Sequence, residues 1–504
     1  MIMKAVIGLI GLGVMGENLA LNIAEKGFPI SVYNRTREKT EKLKEKINNE
    51  EKIKSKLIIN YDLDEFIDSL VKPKKIILML TAGTPIDKTI DKLIPKLDKN
   101  DIIIDGGNSF FEDTERRNSV LNKMGINYLG VGVSGGEEGA RHGPCIMVGG
   151  SKEAYKTDNK ISVEDIFNKI AAKTNGDRNL TCCSYLGERG SGHFVKMVHN
   201  GIEYGIMQIL AESYNLICNR MGISSKECSE IFEEWNNNEL NSYLLEISYQ
   251  VLKKTDSETR KSLVEMILDK AGHKGTGKWT SQTALNLGVP IPTIDAAVSA
   301  RMLSYFKEDR VKLSELYSND VRKSEKYQDK KIAFSDLSFG SDNNTYTKFN
   351  KERILDLIKN GIYCSIIMSY TQGISLIQAS NTEYNYNVSL KEVARIWKGG
   401  CIIRAKLLEN IEEAYKNQAN STSLLYNNEI KQILQDKYED WIELVKIYRS
   451  NNIPCPAISS ALDYFESWKS SILPANFIQA LRDYFGSHGY KRIDKDGDFH
   501  TSWA

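Results

Sequence analysis

Five polar side chains between positions 196 and 204 have the types and the spacing of an acid–base site. They fall at i, i+3, i+4, i+7 and i+8, which places all of them on one face of a helix: Lys196, His199, Asn200, Glu203 and Tyr204. A partly buried lysine, whose pKa is brought toward neutrality, could accept a proton from a substrate hydroxyl while a hydride leaves carbon. Glu203 could then act as the acid if an apolar wall or a substrate anion raises its pKa.

An amphipathic surface helix would show the same polar spacing, and a structural ion pair would place Lys196 and Glu203 together in the same way. The residues that continue this face are apolar, however, namely Met207, Leu210 and Ala211. Because a solvated face has no reason to become apolar within one turn, the pattern favours a buried polar cluster. Catalysis and a plain ion pair both remain open from these residues alone.

A glycine-rich turn near the start of the chain has the pattern of a dinucleotide site. It follows an apolar run directly and opens a helix near Glu17. The first glycine permits a tight turn, the second lets backbone amides approach a pyrophosphate, and the third lets the helix pack on the strand. A purely structural glycine turn is the alternative. The predicted cofactor contacts are Gly11, Leu12, Gly13, Val14, Met15 and Gly16.

The end of the second predicted strand indicates NADP rather than NAD. An acidic residue about 20 residues beyond the glycines usually holds a free ribose 2′-hydroxyl, whereas this strand ends in Asn34, Arg35 and Thr36. Arg35 could stack on adenine and pair with a 2′-phosphate, while Asn34 and Thr36 could donate hydrogen bonds. Arg35 as a solvated surface charge is the alternative, since Arg37 lies close by and could do the same job.

Two further segments could hold anionic groups of a substrate. The Ser-Gly-Gly loop at 134–136 follows an apolar run, and its amides and hydroxyl could cradle a carboxylate. The segment that contains Lys274 and Thr276 resembles a phosphate grip without being a Walker loop, although Gly-Thr-Gly is also an ordinary turn. Arg301 stands in an otherwise apolar segment and is a plausible second cation.

The apolar patterns predict three parts of the chain that would position these residues. In the first part, short β-branched runs alternate with helical stretches, which indicates an α/β Rossmann-like domain with a parallel sheet. Its strand candidates are 5–9, 29–33, 75–80, 101–105 and 126–133. Helical spacing then dominates, and an aromatic, glycine-punctuated tail follows. We therefore predict a cofactor-binding domain over 1–189, an all-helical domain over 190–470 and an extended tail over 471–504.

Composition and charge exclude several other classes of protein. The chain has 504 residues, of which 41% are hydrophobic, so it has room for several folded cores. Its 67 basic and 66 acidic residues give a net charge of +1, so no global field attracts nucleic acid or an anionic membrane.

The eight cysteines lack metal-ligand spacing, and we expect reduced thiols and no metal. No apolar run approaches the roughly 18 residues of a membrane span, and we expect a cytoplasmic protein.

Five segments of the chain, which occur in the same order as in the family, resemble the decarboxylating, NADP-dependent 6-phosphogluconate dehydrogenases of the pentose phosphate pathway. The resemblance covers nearly the whole chain and is carried by Asp105–Asn108, Ser134–Arg141, Lys196–Tyr204, Lys274–Trp279 and Arg482–His488. It implies that 6-phosphogluconate is oxidised at C3 and loses CO2 to give ribulose 5-phosphate. It also implies NADP as cofactor, no metal, and a homodimer in which the tail reaches the partner subunit.

The resemblance further implies roles for individual residues. Lys196 would be the general base and later an acid, and Glu203 would protonate the enediol carbon. The carboxylate and hydroxyls of the substrate would be held by Asn108, Ser134, Gly135, Gly136, His199 and Asn200. Its phosphate would be held by Tyr204, Lys274, Thr276, Arg301 and, from the neighbouring subunit, Arg482, with His488 nearby. Additional cofactor contacts would come from Ala82 and Asn108.

Four positions depart from the family pattern. Thr81 stands where the family usually has a lysine near the cofactor, so this chain lacks that positive charge. His273 replaces the usual Asn, Gln or Ser, and Cys145 and Val148 replace the usual Ser and Pro. None of these changes removes a catalytic group, and we therefore expect activity.

Two other functions share some of these features. A β-hydroxyacid dehydrogenase of the hydroxyisobutyrate type has the glycine turn, the Ser-Gly-Gly loop and the lysine, but such enzymes are much shorter and lack the phosphate segment and the tail. A non-catalytic NADP-binding scaffold would have no need of both Lys196 and Glu203.

Overall fold

An eight-stranded sheet followed by a large set of helices makes up the part of the chain that the computed structural model describes. The described residues are 4–156, 161–174, 177–272, 275–321, 351–417 and 423–503. The sheet ends at Gly187, and a long helix begins at Ser191. This arrangement confirms the predicted fold class of a Rossmann-like domain followed by a helical domain.

The named strands of the described residues all lie before residue 188. They are β1 (Ile7–Ile10), β2 (Ile30–Tyr33), β3 (Leu57–Asn60), β4 (Lys75–Leu78), β5 (Ile102–Asp105), β6 (Asn127–Ser134), β7 (Cys145–Gly150), β8 (Lys173–Thr174), β9 (Asp177–Thr181) and β10 (Cys183–Gly187). The large sheet has the order β10-β7-β6-β5-β4-β1-β2-β3, and β8 and β9 form a separate pair.

Parallel pairing brings several candidate functional turns to one edge of the sheet. β1 pairs with β2 and β4, β4 pairs with β5, and β5 pairs with β6, all in parallel. The central strands are buried along their whole length, as expected for a parallel sheet covered on both faces. Because the carboxyl ends of parallel strands meet at one edge, the turns after β1, β2, β4 and β5 lie there together.

The parallel sheet is confirmed for these strands, but the sheet is not parallel throughout. β7 runs antiparallel to β6, with Ser134 opposite Cys145, and β10 pairs in parallel with β7. The apolar patterns predict β1, β2, β4, β5 and β6, but they do not reveal β3, β7 and β10. β7 ends in Gly149 and Gly150, which have low strand propensity, and close packing against Ser191 and Gly192 requires the first of these glycines.

Helices flank the sheet and then build the second half of the chain. The first group consists of α1 (Val14–Glu25), α2 (Arg37–Lys46), α3 (Glu51–Lys54), α4 (Leu63–Asp68), α5 (Thr84–Leu93), α6 (Phe111–Lys123), α7 (Gly136–His142), α8 (Lys152–Lys156) and α9 (Val163–Ile170). The second group consists of α10 (Ser191–Tyr214), α11 (Ser225–Asn236), α12 (Tyr243–Lys253), α13 (Leu263–Met266), α14 (Thr276–Asn286), α15 (Pro292–Ser304), α16 (Lys307–Val321), α17 (Lys351–Tyr384), α18 (Leu390–Trp397), α19 (Leu407–Asn417), α20 (Asn428–Ser450), α21 (Pro456–Lys469) and α22 (Ala475–Gly486). None of the helices in the described ranges combines the length and the hydropathy that a bilayer-spanning segment requires.

α10 connects the sheet to the helical half and is buried along most of its length. Its first two turns lie against β6 and β7, where a Cβ at Gly132 would be 2.5 Å from the Cβ of Lys196. On its other side it packs against α17, where a Cβ at Gly373 would be 2.5 Å from Ile202. These glycines let the neighbouring backbones approach closely. The alternative of a solvated surface helix is therefore wrong.

The tail forms a small unit around the buried carboxylate of Asp483 on α22. This carboxylate accepts hydrogen bonds of 2.8–3.0 Å from His500, Trp503 and the amides of Gly489 and Thr501. Burial acts to raise the pKa of Asp483, but these hydrogen bonds hold it below its usual value. The large apolar side chains on the other face of α22 stay exposed, namely Phe477, Ile478, Tyr484 and Phe485.

Candidate active site

The side chain of Lys196 is buried where α10 meets β6. Its amine donates a hydrogen bond of 2.9 Å to the side-chain oxygen of Asn200. Burial lowers the pKa of Lys196, and the negative charge of Glu203 opposes this shift. A lysine in such surroundings loses its proton more easily than a lysine in water, which is the property that a general base needs.

His199 links Asn200 to the turn that follows β6. Its Nδ1 lies 3.1 Å from Asn200 Oδ1, and its Nε2 lies 3.2 Å from Ser134 Oγ. Because an amide oxygen only accepts hydrogen bonds, Nδ1 carries the proton and the Ser134 hydroxyl donates to Nε2. Burial and the nearby Lys196 hold the pKa of His199 well below its usual value, so the ring is neutral. Its edge packs against Trp397, with ring centres 5.7 Å apart.

Glu203 lies one turn beyond His199 and is less enclosed. Its Oε2 is 4.0 Å from His199 Nδ1, and 22% of its side chain is exposed. Burial raises the pKa of Glu203, while the charges of Lys196 and Arg301 oppose this shift. In the described part of the chain, no ion pair joins Lys196 to Glu203. The pKa values of these two groups are instead moved toward each other, which is typical of a base and an acid that work near neutral pH.

Tyr204 and Arg301 form part of a surface that suits an anion. The guanidinium carbon of Arg301 lies 3.6 Å from the centre of the Tyr204 ring, which orients the cation. Gly277 packs on the same ring, because a Cβ at this position would lie 2.5 Å from it. Thr276 begins α14, and the amides of a helix N-terminus attract negative charge. The structure therefore brings three of the predicted phosphate contacts to neighbouring positions.

The turn after β6 presents backbone amides at the start of α7. Gly135 has φ +119° and Gly136 has φ +62°, and both values favour glycine. A Cβ at Gly135 would lie 2.5 Å from the carbonyl oxygen of Gly400, whereas a Cβ at Gly136 would find its nearest neighbour, Ile402, 3.9 Å away. Space thus remains over Gly136 for a carboxylate, as the sequence predicts for this loop.

Asn108 is exposed in the turn that follows β5. Its neighbours are fixed by Asp105, whose carboxylate accepts hydrogen bonds from the Gly107 amide at 3.1 Å and the Ser109 hydroxyl at 2.7 Å. The turn therefore holds Asn108 at the carboxyl edge of the sheet, where its predicted contacts with substrate and cofactor would lie.

The glycine turn fits a bound dinucleotide. A Cβ at Gly11 would overlap the carbonyl oxygen of Met79, and a Cβ at Gly16 would overlap that of Gly11. These two glycines are therefore required by the turn and by the packing of α1. A Cβ at Gly13 would meet nothing within 4 Å, so the start of α1 at Val14 is open to a phosphate group.

Asn34 holds the glycine turn against the end of β2. Its side-chain oxygen accepts a hydrogen bond of 2.9 Å from the Leu12 amide, and its side-chain nitrogen donates one of 2.9 Å to the Thr36 carbonyl oxygen. Leu12 and Met15 pack into the core of the sheet domain. Both polar atoms of Asn34 are thus engaged within the protein, which leaves Arg35 and the exposed Thr36 as the predicted contacts of a 2′-phosphate.

Arg35 is exposed at a cleft of about 750 Å³ beside the glycine turn. In the described part of the chain its guanidinium has no ion-pair partner. Arg37, the alternative contact, pairs with Glu41 at 3.4 Å and lies 4.7 Å from the centre of the Tyr61 ring. Three further cations line the cleft without any sequence pattern that predicts them, namely Lys39, Lys88 and Lys92.

Arg35→Ala is expected to weaken NADP+ binding about 10- to 100-fold, because a hydrogen bond to a charged group contributes about 1.5–3 kcal/mol. The affinity for NAD+, which lacks the 2′-phosphate, should change little. Calorimetric titration of both cofactors measures the difference. Arg37→Ala is the matched control and should leave both affinities near those of the unaltered protein. An equal loss for NADP+ and NAD+ in Arg35→Ala would show that Arg35 does not contact the 2′-phosphate.

The four departures from the family pattern fall in different surroundings. Thr81 is exposed and lines the cofactor cleft, beside the half-buried Ala82. Cys145 and Val148 are fully buried in β7, where they pack into the core. The predicted phosphate contact Lys274 and the departure His273 lie outside the described residues.

Arg482 and His488 are not brought to the other site residues within one chain. Arg482 donates a hydrogen bond of 3.1 Å to Gln479, and the ring of His488 packs 5.8 Å from that of Phe485. In the described part of the chain, all of these contacts are internal to the tail.

Sequence reasoning does not single out the glycines that make room for the site. Gly132 accommodates Lys196, and Gly400 lies against Gly135. A partial signal exists for the first, because Gly130 and Gly132 are two residues apart and therefore share one face of β6. Gly400 lies far from Gly135 along the chain, and only the folded structure shows the contact between these two glycines.

Two family models together cover nearly the whole chain. The NAD binding domain of 6-phosphogluconate dehydrogenase matches residues 6–187, and the 6-phosphogluconate dehydrogenase C-terminal domain matches residues 192–503. The chain belongs to the 6-phosphogluconate dehydrogenase family. Membership in this family decides against the shorter hydroxyisobutyrate type of enzyme.

Full-length relatives agree with this assignment. The chain is 46% identical over 501 residues to the NADP(+)-dependent, decarboxylating 6-phosphogluconate dehydrogenase of Bacillus subtilis, with 99% of each chain covered. It is 45% identical to the decarboxylating enzyme of Synechocystis, covering 99% of this chain and 98% of that protein. It also resembles the solved Plasmodium falciparum 6-phosphogluconate dehydrogenase, with a TM-score of 0.88, 41% identity, and coverage of 99% of this chain and 100% of that one.

Proposed function

We propose that this chain oxidises 6-phosphogluconate at C3, releases CO2 and forms ribulose 5-phosphate, with NADP+ as cofactor. The observation that carries the proposal is the buried Lys196 one turn from His199 and two turns from Glu203, at the edge of a dinucleotide-binding sheet. The chain has this arrangement, and a relative named for this activity aligns with 99% of its residues. When bound, NADP+ supplies the hydride acceptor.

Lys196 is the group that takes the C3 hydroxyl proton. Its lowered pKa lets the neutral amine form at a lower pH than for a lysine in water, and Asn200 holds its nitrogen in place. Loss of the hydroxyl proton and of a hydride from C3 leaves a 3-keto acid. The ammonium of Lys196 then faces the new carbonyl oxygen and can return its proton there.

Loss of CO2 follows from the chemistry of the 3-keto acid. The electron pair of the bond between C1 and C2 moves toward the C3 oxygen, which takes a proton from Lys196, and an enediol forms. Glu203 then protonates the former C2 carbon while the hydroxyl at C3 returns its proton to Lys196, which gives the ketose product. Because burial raises its pKa, Glu203 takes up a proton more readily than a carboxyl group in water, and this is the proton that it delivers. The base and acid therefore act in sequence on one substrate.

The remaining predicted residues bind the substrate in this proposal. Its carboxylate and hydroxyls would contact the amides of the Ser134–Gly136 turn together with Asn108, His199 and Asn200. Its phosphate would contact Tyr204, Thr276 and Arg301, and Lys274 would add a second positive charge. The left-handed turn at Gly135 and Gly136 and the Tyr204–Arg301 contact support these assignments.

We further propose a homodimer in which the tail completes the partner's phosphate site with Arg482 and His488. The apolar face of α22 is exposed in the single chain, which is unfavourable unless another surface covers it. Exposed apolar residues on α15 and α16 support the same assembly, namely Met302, Leu303, Val311, Leu313, Leu316 and Tyr317.

We also propose the domain boundaries of the chain and its cellular location. We place the boundaries after residues 189 and 470, because the sheet ends at Gly187, α10 begins at Ser191 and α21 ends at Lys469. We place the chain in the cytoplasm because all eight cysteines are free thiols, as expected in a reducing compartment.

One assay tests the proposed reaction directly. The protein is mixed with NADP+ and 6-phosphogluconate, and reduced nicotinamide and CO2 are followed together. We expect both to appear in equal amounts. Reduction without CO2, or turnover of 3-hydroxyisobutyrate in place of 6-phosphogluconate, would contradict the proposed function.

Glu203→Gln is expected to move the acidic limb of the pH profile for nicotinamide reduction to lower pH. Burial lowers the pKa of Lys196 and the charge of Glu203 opposes that shift, so loss of this charge lowers the pKa further. Because only the neutral amine accepts the hydroxyl proton, the rate rises as the pH is raised through this pKa. The rate of nicotinamide reduction in the first turnover, measured over a range of pH, gives the position of the acidic limb.

Glu203→Asp retains the negative charge and is the matched control, since its acidic limb should stay near that of the unaltered protein. An acidic limb that moves to higher pH in Glu203→Gln would show that Lys196 is not the titrating base.

A further inference from the structure

Two turns that face the candidate site lie directly against each other. One follows β4 and contains Thr81, which lines the cofactor cleft; the other follows β5 and contains Asn108. The amide of Gly106 donates a hydrogen bond of 3.0 Å to the Leu78 carbonyl oxygen. A Cβ at Gly107 would lie 2.9 Å from the Leu80 carbonyl oxygen. The spacing between the cofactor side and the substrate side of the site is therefore set where these turns meet.

The buried side chain of Arg117, on α6, joins both turns. Its Nη2 donates a hydrogen bond of 3.2 Å to the carbonyl oxygen of Gly83, which ends the first turn. Its Nη1 lies 3.5 Å from the carboxylate of Asp105, which holds the second turn through Gly107 and Ser109. One guanidinium thus contacts the cofactor-side turn and the residue that anchors the turn of Asn108.

A third contact fixes the helix that follows the first turn. The Nε and Nη2 of Arg117 donate to the two carboxylate oxygens of Asp87 on α5, at 2.8 Å and 3.2 Å. This bidentate pairing uses the planar fork of a guanidinium, which an ammonium group cannot reproduce. Only 2% of the Arg117 side chain is exposed, so water does not compete for these bonds.

We propose that Arg117 is a positioning residue for the reaction, which holds the Thr81–Gly83 turn and the Gly106–Ser109 turn at a fixed separation. The proposal rests on the proposed function, because these turns are the predicted contacts of cofactor and substrate. Misplacement by about 1 Å of reacting groups can lower a rate about 100-fold. Arg117 would therefore act on the rate of C3–H cleavage without contacting the substrate.

Arg116 offers a matched control on the same helix. It pairs with the same Asp87 at 2.9 Å and with Asp113 at 3.3 Å, but 54% of its side chain is exposed. The structure gives it no contact with Gly83 or Asp105 in the described residues. Arg116→Lys therefore makes the same chemical change one position away, without disturbing the link between the two turns.

The first measurement is amide hydrogen exchange in the protein without ligands. In Arg117→Lys, we expect peptides that cover 81–84 and 106–109 to exchange about tenfold faster, because both lose the same anchor. Peptides from β1 and α17 should keep their rates, and Arg116→Lys should leave all four regions unchanged. Unchanged exchange at both turns in Arg117→Lys, or faster exchange everywhere, would overturn the proposal.

The second measurement is steady-state turnover with 6-phosphogluconate that carries hydrogen or deuterium at C3. For Arg117→Lys, we expect kcat to fall at least about tenfold while KM changes less than about threefold. The deuterium isotope effect on kcat should rise, because misaligned turns slow C3–H cleavage in particular. A lower kcat with an unchanged isotope effect would indicate only a smaller folded fraction and would overturn the proposal.

A second variant and the unaltered protein distinguish failure of the Arg117 proposal from failure of the proposed function. If Arg117→Lys does not fold, Asp87→Asn removes one anchor and leaves the contact of Arg117 with Asp105, and the same changes in exchange and isotope effect are expected in smaller measure. Failure of the unaltered protein to turn over 6-phosphogluconate would refute the proposed function alone. The exchange comparison would still test whether Arg117 holds the two turns.

Discussion

Replacing Lys196 by alanine is expected to lower kcat by about 100- to 10,000-fold, because a positioned general base contributes about that much. The substrate should still bind, since the Ser134–Gly136 turn and the Tyr204–Arg301 surface are separate from the amine. The truncation also leaves a cavity beside Gly132, where the lysine stem packs. Single-turnover formation of reduced nicotinamide measures the chemical step, and titration with 6-phosphogluconate measures binding.

Small amines distinguish a missing base from a damaged site. Ethylamine should restore part of the rate in Lys196→Ala, because the cavity can hold a substitute amine. Lys196→Met is the matched control, since it fills the same volume without an amine and should be neither active nor rescued. A tenth of the original rate in Lys196→Ala, which is a loss of only about 1.4 kcal/mol, would exclude Lys196 as the principal base.

Mixing Lys196→Ala protein with Arg482→Ala protein is expected to restore activity from two preparations that are each nearly inactive. If the tail acts on the partner subunit, each mixed dimer has one doubly altered site and one intact site. Random exchange makes half of the dimers mixed, so about a quarter of all sites should work. The measurement is activity after exchange, with mixed dimers quantified by differently tagged subunits.

The control for this experiment is a mixture of Lys196→Ala and Glu203→Ala proteins. Both residues lie on α10 of the same chain, so every site in a mixed dimer keeps one defect and activity should stay low. Demonstrated exchange of Lys196→Ala and Arg482→Ala without recovery would show that the tail does not act in trans.

Local sequence determined the parts of this protein that depend on spacing along one element. Helical periodicity places Lys196, His199 and Glu203 on one face of α10, and glycine spacing identifies the turn after β1. The change from strand-like to helical patterns locates the junction between sheet and helices. These features are readable because each one is decided by neighbours within a few residues.

Strand direction depended on contacts that sequence spacing does not encode. β7 reads as a glycine-rich segment, and it is antiparallel to β6 because the short turn of α7 returns the chain beside the strand that it has just left. Its Gly149 is required by the start of α10, about 40 residues later in the chain. A local pattern carries no information about that partner.

Tertiary structure also decided how the site residues are used. The side chain of Asn34 accepts a hydrogen bond from the Leu12 amide, and Arg37 forms an ion pair with Glu41. Arg35 is exposed at the cofactor cleft. The same burial that lowers the pKa of Lys196 raises that of Glu203, because removing water disfavours the charged form of either group. Sequence identified which groups could react, whereas the protonation and the orientation of each depended on surroundings assembled from distant parts of the chain.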